Sequence, residues 1–192
     1  ITVQDTTRPT ITCPVNVTIN CEASTLPANT GNATATDNCT DVVTNITFVD
    51  NRTNGSCNDN YTLARTWTAV DSCGNANDCT QTITVQDTTR PTIICPINVT
   101  INCEASTLPA NTGSATATDN CTDIVTNITY VDNRIDGSCN DNYTLARTWT
   151  AVDSCGNSND CTQTITVQDT TRPAITCPVN VTINCEASTN PT

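Results

Sequence analysis

The chain of 192 residues contains no histidine, no lysine and no methionine. Aromatic side chains make up only 3% of it: two Trp, three Tyr and one Phe. Positive charge is also scarce. All seven basic residues are Arg, against 19 acids, for a formal net charge of −12. Without histidine there is no Ser-His-Asp triad, no imidazole proton shuttle and no Cys₂His₂ zinc site. The acidic balance offers no basic surface for nucleic-acid phosphates. No apolar run approaches the ~18 residues that a membrane-spanning helix needs. An apolar content of 36% with regularly placed cysteines does not describe a solvated, disordered acidic tail.

What is abundant is threonine, at 43 positions, asparagine, at 25, and cysteine, at 14. Fourteen cysteines in an acidic chain point to an oxidising, extracellular or cell-surface setting, where disulfides replace part of a core. Thiolate zinc binding is the alternative for such a count, and the spacing speaks against it, because no Cys-x₂-Cys pair occurs.

The run Ile1-Thr-Val-Gln-Asp-Thr-Thr-Arg-Pro9 returns at Ile83 and at Ile165, a period of 82 residues. Residues 1–82 and 83–164 differ at eight positions, among them Val15/Ile97, Phe48/Tyr130 and Ala76/Ser158. The periodicity predicts the end of a preceding repeat at 1–4, full repeats at 5–86 and 87–168, and the first part of a third at 169–192. The chain opens in a strand-like run and closes within a repeat, so it is expected to be a window on a longer array. Near-identical copies in series suit a building unit; an enzyme has little use for its active site copied in line.

Within one period the pattern is β throughout. Alternation marks Thr10–Cys13, Val17–Cys21, Asn45–Phe48, Tyr61–Ala69 and Thr80–Val85. Gly, Pro, Asn and Asp gather between these runs, as loops require. Short strands at this spacing predict a small antiparallel sandwich. The apolar phase turns Ile11, Val17, Ile19, Ile46, Phe48, Leu63, Trp67, Ala69, Ile83 and Val85 inward. Arg65 shares that phase and is expected at a strand edge, with an acid partner or stacking on Trp67 as alternatives.

Four motifs in order carry a resemblance: Asp5-Thr-Thr-Arg-Pro9, Ile11-Thr-Cys-Pro14, Ala35-Thr-Asp-Asn-Cys39 and Ala69-Val-Asp-Ser-Cys-Gly-Asn75. They resemble the hyalin repeat (HYR) domain, and the tandem form is similar to arrays in bacterial surface and gliding adhesins. The resemblance implies immunoglobulin-like β-sandwiches strung head to tail, an extracellular adhesive setting and no catalytic residues. Under an immunoglobulin-like strand order, the expected bridges are Cys13–Cys79, Cys21–Cys73 and Cys39–Cys57. Their copies would be Cys95–Cys161, Cys103–Cys155 and Cys121–Cys139. The rival is Cys73–Cys79 closing a short hairpin; six cysteines allow about 15 pairings.

Two further kinds of site stand out. Asn-x-Ser/Thr sequons take 12 of the 25 asparagines. Two of them, at Asn38 and Asn120, have cysteine in the middle position, which competes with disulfide formation. The candidate N-glycosylation sites are therefore Asn16, Asn32, Asn45, Asn51, Asn54, Asn60, Asn98, Asn127, Asn142 and Asn180; threonine could also carry O-glycans. Acids gather in the loops, at Asp5, Asp37, Asp41, Asp71, Asp78 and their copies. Hard oxygen ligands at a linker are the chemistry of Ca²⁺. The candidate Ca²⁺ group is Asp87 with Glu104, Asp153 and Asn157; no cofactor is otherwise required. The expected function is a non-catalytic structural segment of an extracellular filament or cell-surface stalk, whose partners are copies of itself. The alternative is an adhesion module that binds a surface glycan or protein through loops such as Asn51–Asn60.

Overall fold

The computed structural model of the chain describes residues 1–39, 43, 45–121, 125 and 127–185. Asp41, its copy Asp123 and the last seven residues of the third-repeat segment lie outside the described residues. The first repeat runs through β1 (Thr10–Thr12), β2 (Val17–Asn20), a short helix α1 (Pro27–Thr30), β3 (Thr34–Thr36), β4 (Asn45–Asn54), β5 (Tyr61–Val70) and β6 (Ala76–Gln86). The second repeats that order in β7 (Thr92–Ile94), β8 (Val99–Asn102), α2 (Pro109–Thr112), β9 (Thr116–Thr118), β10 (Asn127–Asp136), β11 (Tyr143–Val152) and β12 (Ser158–Gln168). No helix among the described residues is long and apolar enough to cross a membrane.

Each repeat is a sandwich of unequal layers. One sheet has the order β2-β6-β5-β4, and the other pairs β1 with β3. A bridge from Cys13, just after β1, to Cys79 on β6 ties the layers together, and Cys95–Cys161 does so in the second repeat. All pairings are antiparallel except one: β2 runs parallel to β6, with Val17 beside Ile83 and Ile19 beside Val85. Since β5 is antiparallel to β6, β2 and β5 lie in the same sheet and run in opposite directions. The immunoglobulin-like order behind the expected Cys21–Cys73 bridge needs these two strands to run the same way in opposite sheets, and the structure corrects it.

The apolar core is small. Leu63, Ile83 and Val85 are buried, with Val17, Ile19, Cys21 and Tyr61 packed against them. Trp67 and Ala69 are buried further along β5. Phe48, expected inside, is 39% exposed because β4 is the edge of its sheet.

The rest of the interior is polar and fully organised around Arg65. This residue is 1% exposed in the middle of the sheet, which corrects the strand-edge reading. Its Nε and Nη2 donate to the two carboxylate oxygens of Asp50 at 2.7 and 2.8 Å, the residue directly opposite on β4. Its Nη1 donates to Thr30 Oγ1 at 2.9 Å and its Nη2 also to the Thr25 carbonyl at 2.8 Å. The guanidinium lies 4.4 Å from the Phe48 ring centre, a cation–π contact strengthened by exclusion from water. Next to it, Gln81 is wholly buried and donates to the carbonyls of Val15 and Thr30 at 2.9 and 2.6 Å. Arg65 and Gln81 thus hold α1 onto the sheet where apolar side chains are missing. Beyond α1, Gly31 takes φ +97°, and a Cβ there would meet the Pro14 ring at 2.8 Å, so only glycine fits.

The segment 169–185 carries no strand, and Cys177 and Cys185 are exposed. Its β2-type stretch, 181–184, has no β6-type strand to pair with among the 192 residues.

Removing one partner of a buried bidentate pair strands the other charge. Asp50→Ala is therefore expected to destabilise the first repeat by about 3 kcal/mol, seen as a separate, earlier urea transition, while the Cys13–Cys79 bridge remains intact. A single transition at the original midpoint would show that the pair contributes little.

Candidate functional site

The parallel β2 strand decides which side chains meet at the joint between repeats. Cys21 follows β2 and donates its amide to the Gln86 carbonyl at 3.2 Å, so it lies at the pole where β6 enters the linker. Cys57, in the β4–β5 turn, shares that pole, since Tyr61 pairs with Val85. Cys73, after β5, lies at the other pole beside Asp5, whose carbonyl accepts from Asn75 Nδ2. Cys39 also lies near Asp5 and Asp37. The expected pairs Cys21–Cys73 and Cys39–Cys57 are therefore each split between opposite poles, while Cys13–Cys79 is bonded within the repeat.

Consecutive repeats bring the poles together. Cys21 is bonded to Cys121, with Cα atoms 6.1 Å apart, and Cys57 to Cys155, at 5.2 Å. These bridges replace the expected Cys21–Cys73, Cys39–Cys57, Cys103–Cys155 and Cys121–Cys139. The rival Cys73–Cys79 is absent too, because Cys79 is bonded to Cys13. Cys39, Cys73, Cys103 and Cys139 are free.

Side chains from both repeats grip the linker between the two bridges. The Asp87 amide donates to Asn60 Oδ1 at 2.7 Å, and Thr89 Oγ1 accepts from Asn20 Nδ2 at 3.1 Å, both from the preceding repeat. From the following repeat, Asn157 Nδ2 reaches the Asp87 carbonyl at 3.4 Å and Asn159 Nδ2 the Pro91 carbonyl at 3.0 Å. Pro91 is fully buried and supplies a rigid φ at the entry to the second sandwich.

Three carboxylates converge here. Ligand oxygens of Asp87, Asp119 and Asp153 lie within 4.8 Å of one another, with Asp87 and Asp153 buried. Burial, then the charges of Asp119, Asp153 and Asp59, push the Asp87 carboxyl above its ordinary value, against the opposing hydrogen bond from the Thr89 amide. Asp153 is oriented by the Cys155 and Asn157 amides, each at 2.9 Å, and by Asn157 Nδ2. In the first repeat the same loop holds Asp71 below its ordinary value. Burial raises it, and the hydrogen bonds from the Asn75 side chain and from the amides of Asn75, Cys73 and Gly74 outweigh that.

Three of the four expected cation ligands, Asp87, Asp153 and Asn157, therefore lie together. Glu104 does not. It follows β8, and Asn102 of β8 pairs beside Gln168, which places Glu104 at the far pole of the second repeat. The third acid is Asp119, the copy of Asp37; its place before Cys121 was the available signal.

Eight of the candidate sequon asparagines are exposed: Asn16, Asn32, Asn45, Asn51, Asn54, Asn98, Asn127 and Asn180. Asn60 and Asn142 are half-buried, and their Oδ1 atoms hold the amides of Asp87 and Asp169. The turn beside Asn60 also forms an open groove of about 260 Å³, lined by Asn54, Tyr61 and Gln86, with Arg52 stacked on Tyr61.

In class these are tandem immunoglobulin-like β-sandwich modules, joined by a linker and two disulfides. No protein-family model matches the chain. Hyalin from Strongylocentrotus purpuratus is 32% identical to it over 198 residues, which take in 96% of this chain and 16% of hyalin. The chain thus spans only a small part of that relative. A solved structure of PcdhgB3 EC1-4 is 14% identical with a TM-score of 0.29, over 84% of this chain and half of that one. At that TM-score the likeness carries no argument. The likeness to hyalin extends over almost the whole chain, and its repeats are hyalin-repeat-like domains.

Because Asp87 binds a proton more tightly in the folded than in the unfolded chain, its ionisation costs stability. That cost is absent below the ordinary aspartate range and grows as pH rises through the raised value. Asp87→Asn, which keeps an acceptor for the Thr89 amide, is expected to raise the thermal midpoint in chelator at pH 7, with the gain shrinking at pH 4. Equal midpoints for both proteins at pH 7 would contradict this.

Proposed function

We propose that this chain is a non-catalytic, structural repeat segment of a long extracellular filament or cell-surface stalk. The observation that carries this reading is the joint. Two consecutive sandwiches share a linker peptide and two disulfides, and hydrogen bonds from both repeats hold the linker between them. An adhesion module displayed on a flexible tether has no need of so stiff a coupling. In an assembled filament the partners are further copies of the same repeat, and the disulfides resist proteases and shear outside the cell. Electron microscopy of the native material tests this. The expected image is a filament whose body is a row of modules at an axial spacing of about 40 Å, from strands of ten residues and a linker. A bare stalk that ends in a distinct, unrelated tip would favour adhesion instead.

The groove at the β4–β5 turn supports the adhesive alternative, because Thr53/Ile135 and Asn54/Asp136, two of the few differences between repeats, lie at it. A glycan or protein ligand would contact that turn.

Asp87, Asp119 and Asp153 supply hard anionic oxygens suited to Ca²⁺, which would neutralise the charge gathered at the joint and so stiffen it. Millimolar Ca²⁺ is expected to raise the thermal midpoint of the natural chain by several degrees and to leave Asp87→Asn unchanged. An identical response in both would remove Ca²⁺ from this reading.

The exposed sequons sit where a sugar meets solvent, three of them on the β4 edge strand. There a bulky polar group would block edge-to-edge association. Glycosidase treatment of native material should lower its mass, with glycopeptides mapping to exposed sequons and not to Asn60 or Asn142.

A further inference from the structure

The free cysteines are not leftovers. Cys39 is one period before Cys121, and its amide donates to Asp37 Oδ2 at 3.2 Å, as that of Cys121 donates to Asp119 Oδ2 at 3.2 Å. Cys73 is one period before Cys155, and both amides donate to the preceding Asp, Asp71 or Asp153, at 2.9 Å. At the opposite pole, Cys103 repeats Cys21: their amides donate to Gln168 and Gln86 at 3.1 and 3.2 Å. Cys139 repeats Cys57, each accepting at its carbonyl from the asparagine three residues on, at 3.0 and 3.2 Å. The local geometry of each free cysteine therefore matches that of its bonded copy. Both halves of the joint are formed before they meet.

We infer that Cys39 with Cys73, and Cys103 with Cys139, are unpaired halves of the same two-disulfide clasp, each shaped to receive a further copy of this repeat. The inference rests on the filament reading only for its setting; the clasp itself follows from the joint already closed. Each closure joins two thiols, which lose two protons and two electrons to a small-molecule disulfide such as oxidised glutathione, itself reduced to two thiols.

Continuing the rule along an array gives an unusual covalent pattern. Within a period, the segments 79–95, 103–121 and 139–155 each run from one bridge to another across a joint or across a sandwich. Linked end to end through the disulfides, they form three separate rails along the array. The segments 95–103, 121–139 and 155–161 are rungs between them. Each joint is crossed by three covalent connections, so no single peptide cleavage severs the array.

The absence of methionine makes this testable, because cyanogen bromide then cuts only where a methionine is introduced. Thr88 is exposed in the linker, and Thr88→Met places the only cut between the repeats. After cleavage without reductant, the two fragments are expected to stay together as one species and to separate when reduced. In Thr88→Met with Cys21→Ser and Cys57→Ser, which keeps Cys13–Cys79 and Cys95–Cys161, they should separate without reductant. Separation of the Thr88→Met fragments without reductant would overturn the clasp.

Thiol counting tests the rule at the ends. The denatured, unreduced chain should show six free thiols, against two if every bridge of both repeats were internal. Duplicating residues 83–164 in line adds six cysteines and, by the rule, three bridges, so the count should again be six. A higher count in the longer chain, from ends that fail to close on the added repeat, would overturn the inference.

Discussion

A ladder of four residue pairs, Val17–Asn20 beside Ile83–Gln86, sets the direction on which the rest of this molecule depends. In an all-antiparallel sheet, β2 would deliver Cys21 to the pole where Cys73 lies, and that pair could close within a repeat. The parallel pairing delivers it to the opposite pole, beside the linker. From that one reversal come the Cys21–Cys121 bridge and, in the second repeat, the placement of Glu104 at the wrong end to join Asp87, Asp119 and Asp153. Each bridge of this kind contributes about 2–4 kcal/mol, a large share of the stability of a domain of this size.

The interior shows how a chain with few aromatics fills a sandwich. Arg65 occupies the volume and hydrogen-bonding role that several apolar side chains would otherwise take, covered by Phe48 on one side and neutralised by Asp50. Such a centre depends on all its partners: its donors are met by a carboxylate, a hydroxyl and a carbonyl. Polar networks of this kind specify one arrangement more sharply than an apolar core, since alternatives leave buried groups unmet.

The strands were legible because the two-residue period survives in each, and the sandwich followed from their spacing. The relative direction of two strands leaves no trace in alternation, so the poles of Cys21 and Cys73 could not be read. A tandem array hides more. The Cys21–Cys121 separation is 100 residues, one period plus the distance from Cys21 to Cys39, so pairing within and between repeats share the same spacing signature. The Arg65 partner was within reach. Asp50 falls in the inward phase of Ile46 and Phe48, an acid where an apolar residue belongs, and the strand opposite carries a base in the same phase. At the cation group, Asp119 was visible as a loop acid, but its approach to Asp87 depends on how two domains dock, which only the fold defines.

The linker and the two bridges attach one sandwich to the next at three points spread along the end of the sheet: after β6, after β2 and in the β4–β5 turn. Attachment spread in that way restricts the twist between them as well as the distance. In an array whose joints all repeat this one, each module is turned and advanced relative to the last by the same amount. Repetition of one rigid operation generates a screw axis, so the handedness and pitch of an assembled strand are already contained in a single pair of repeats.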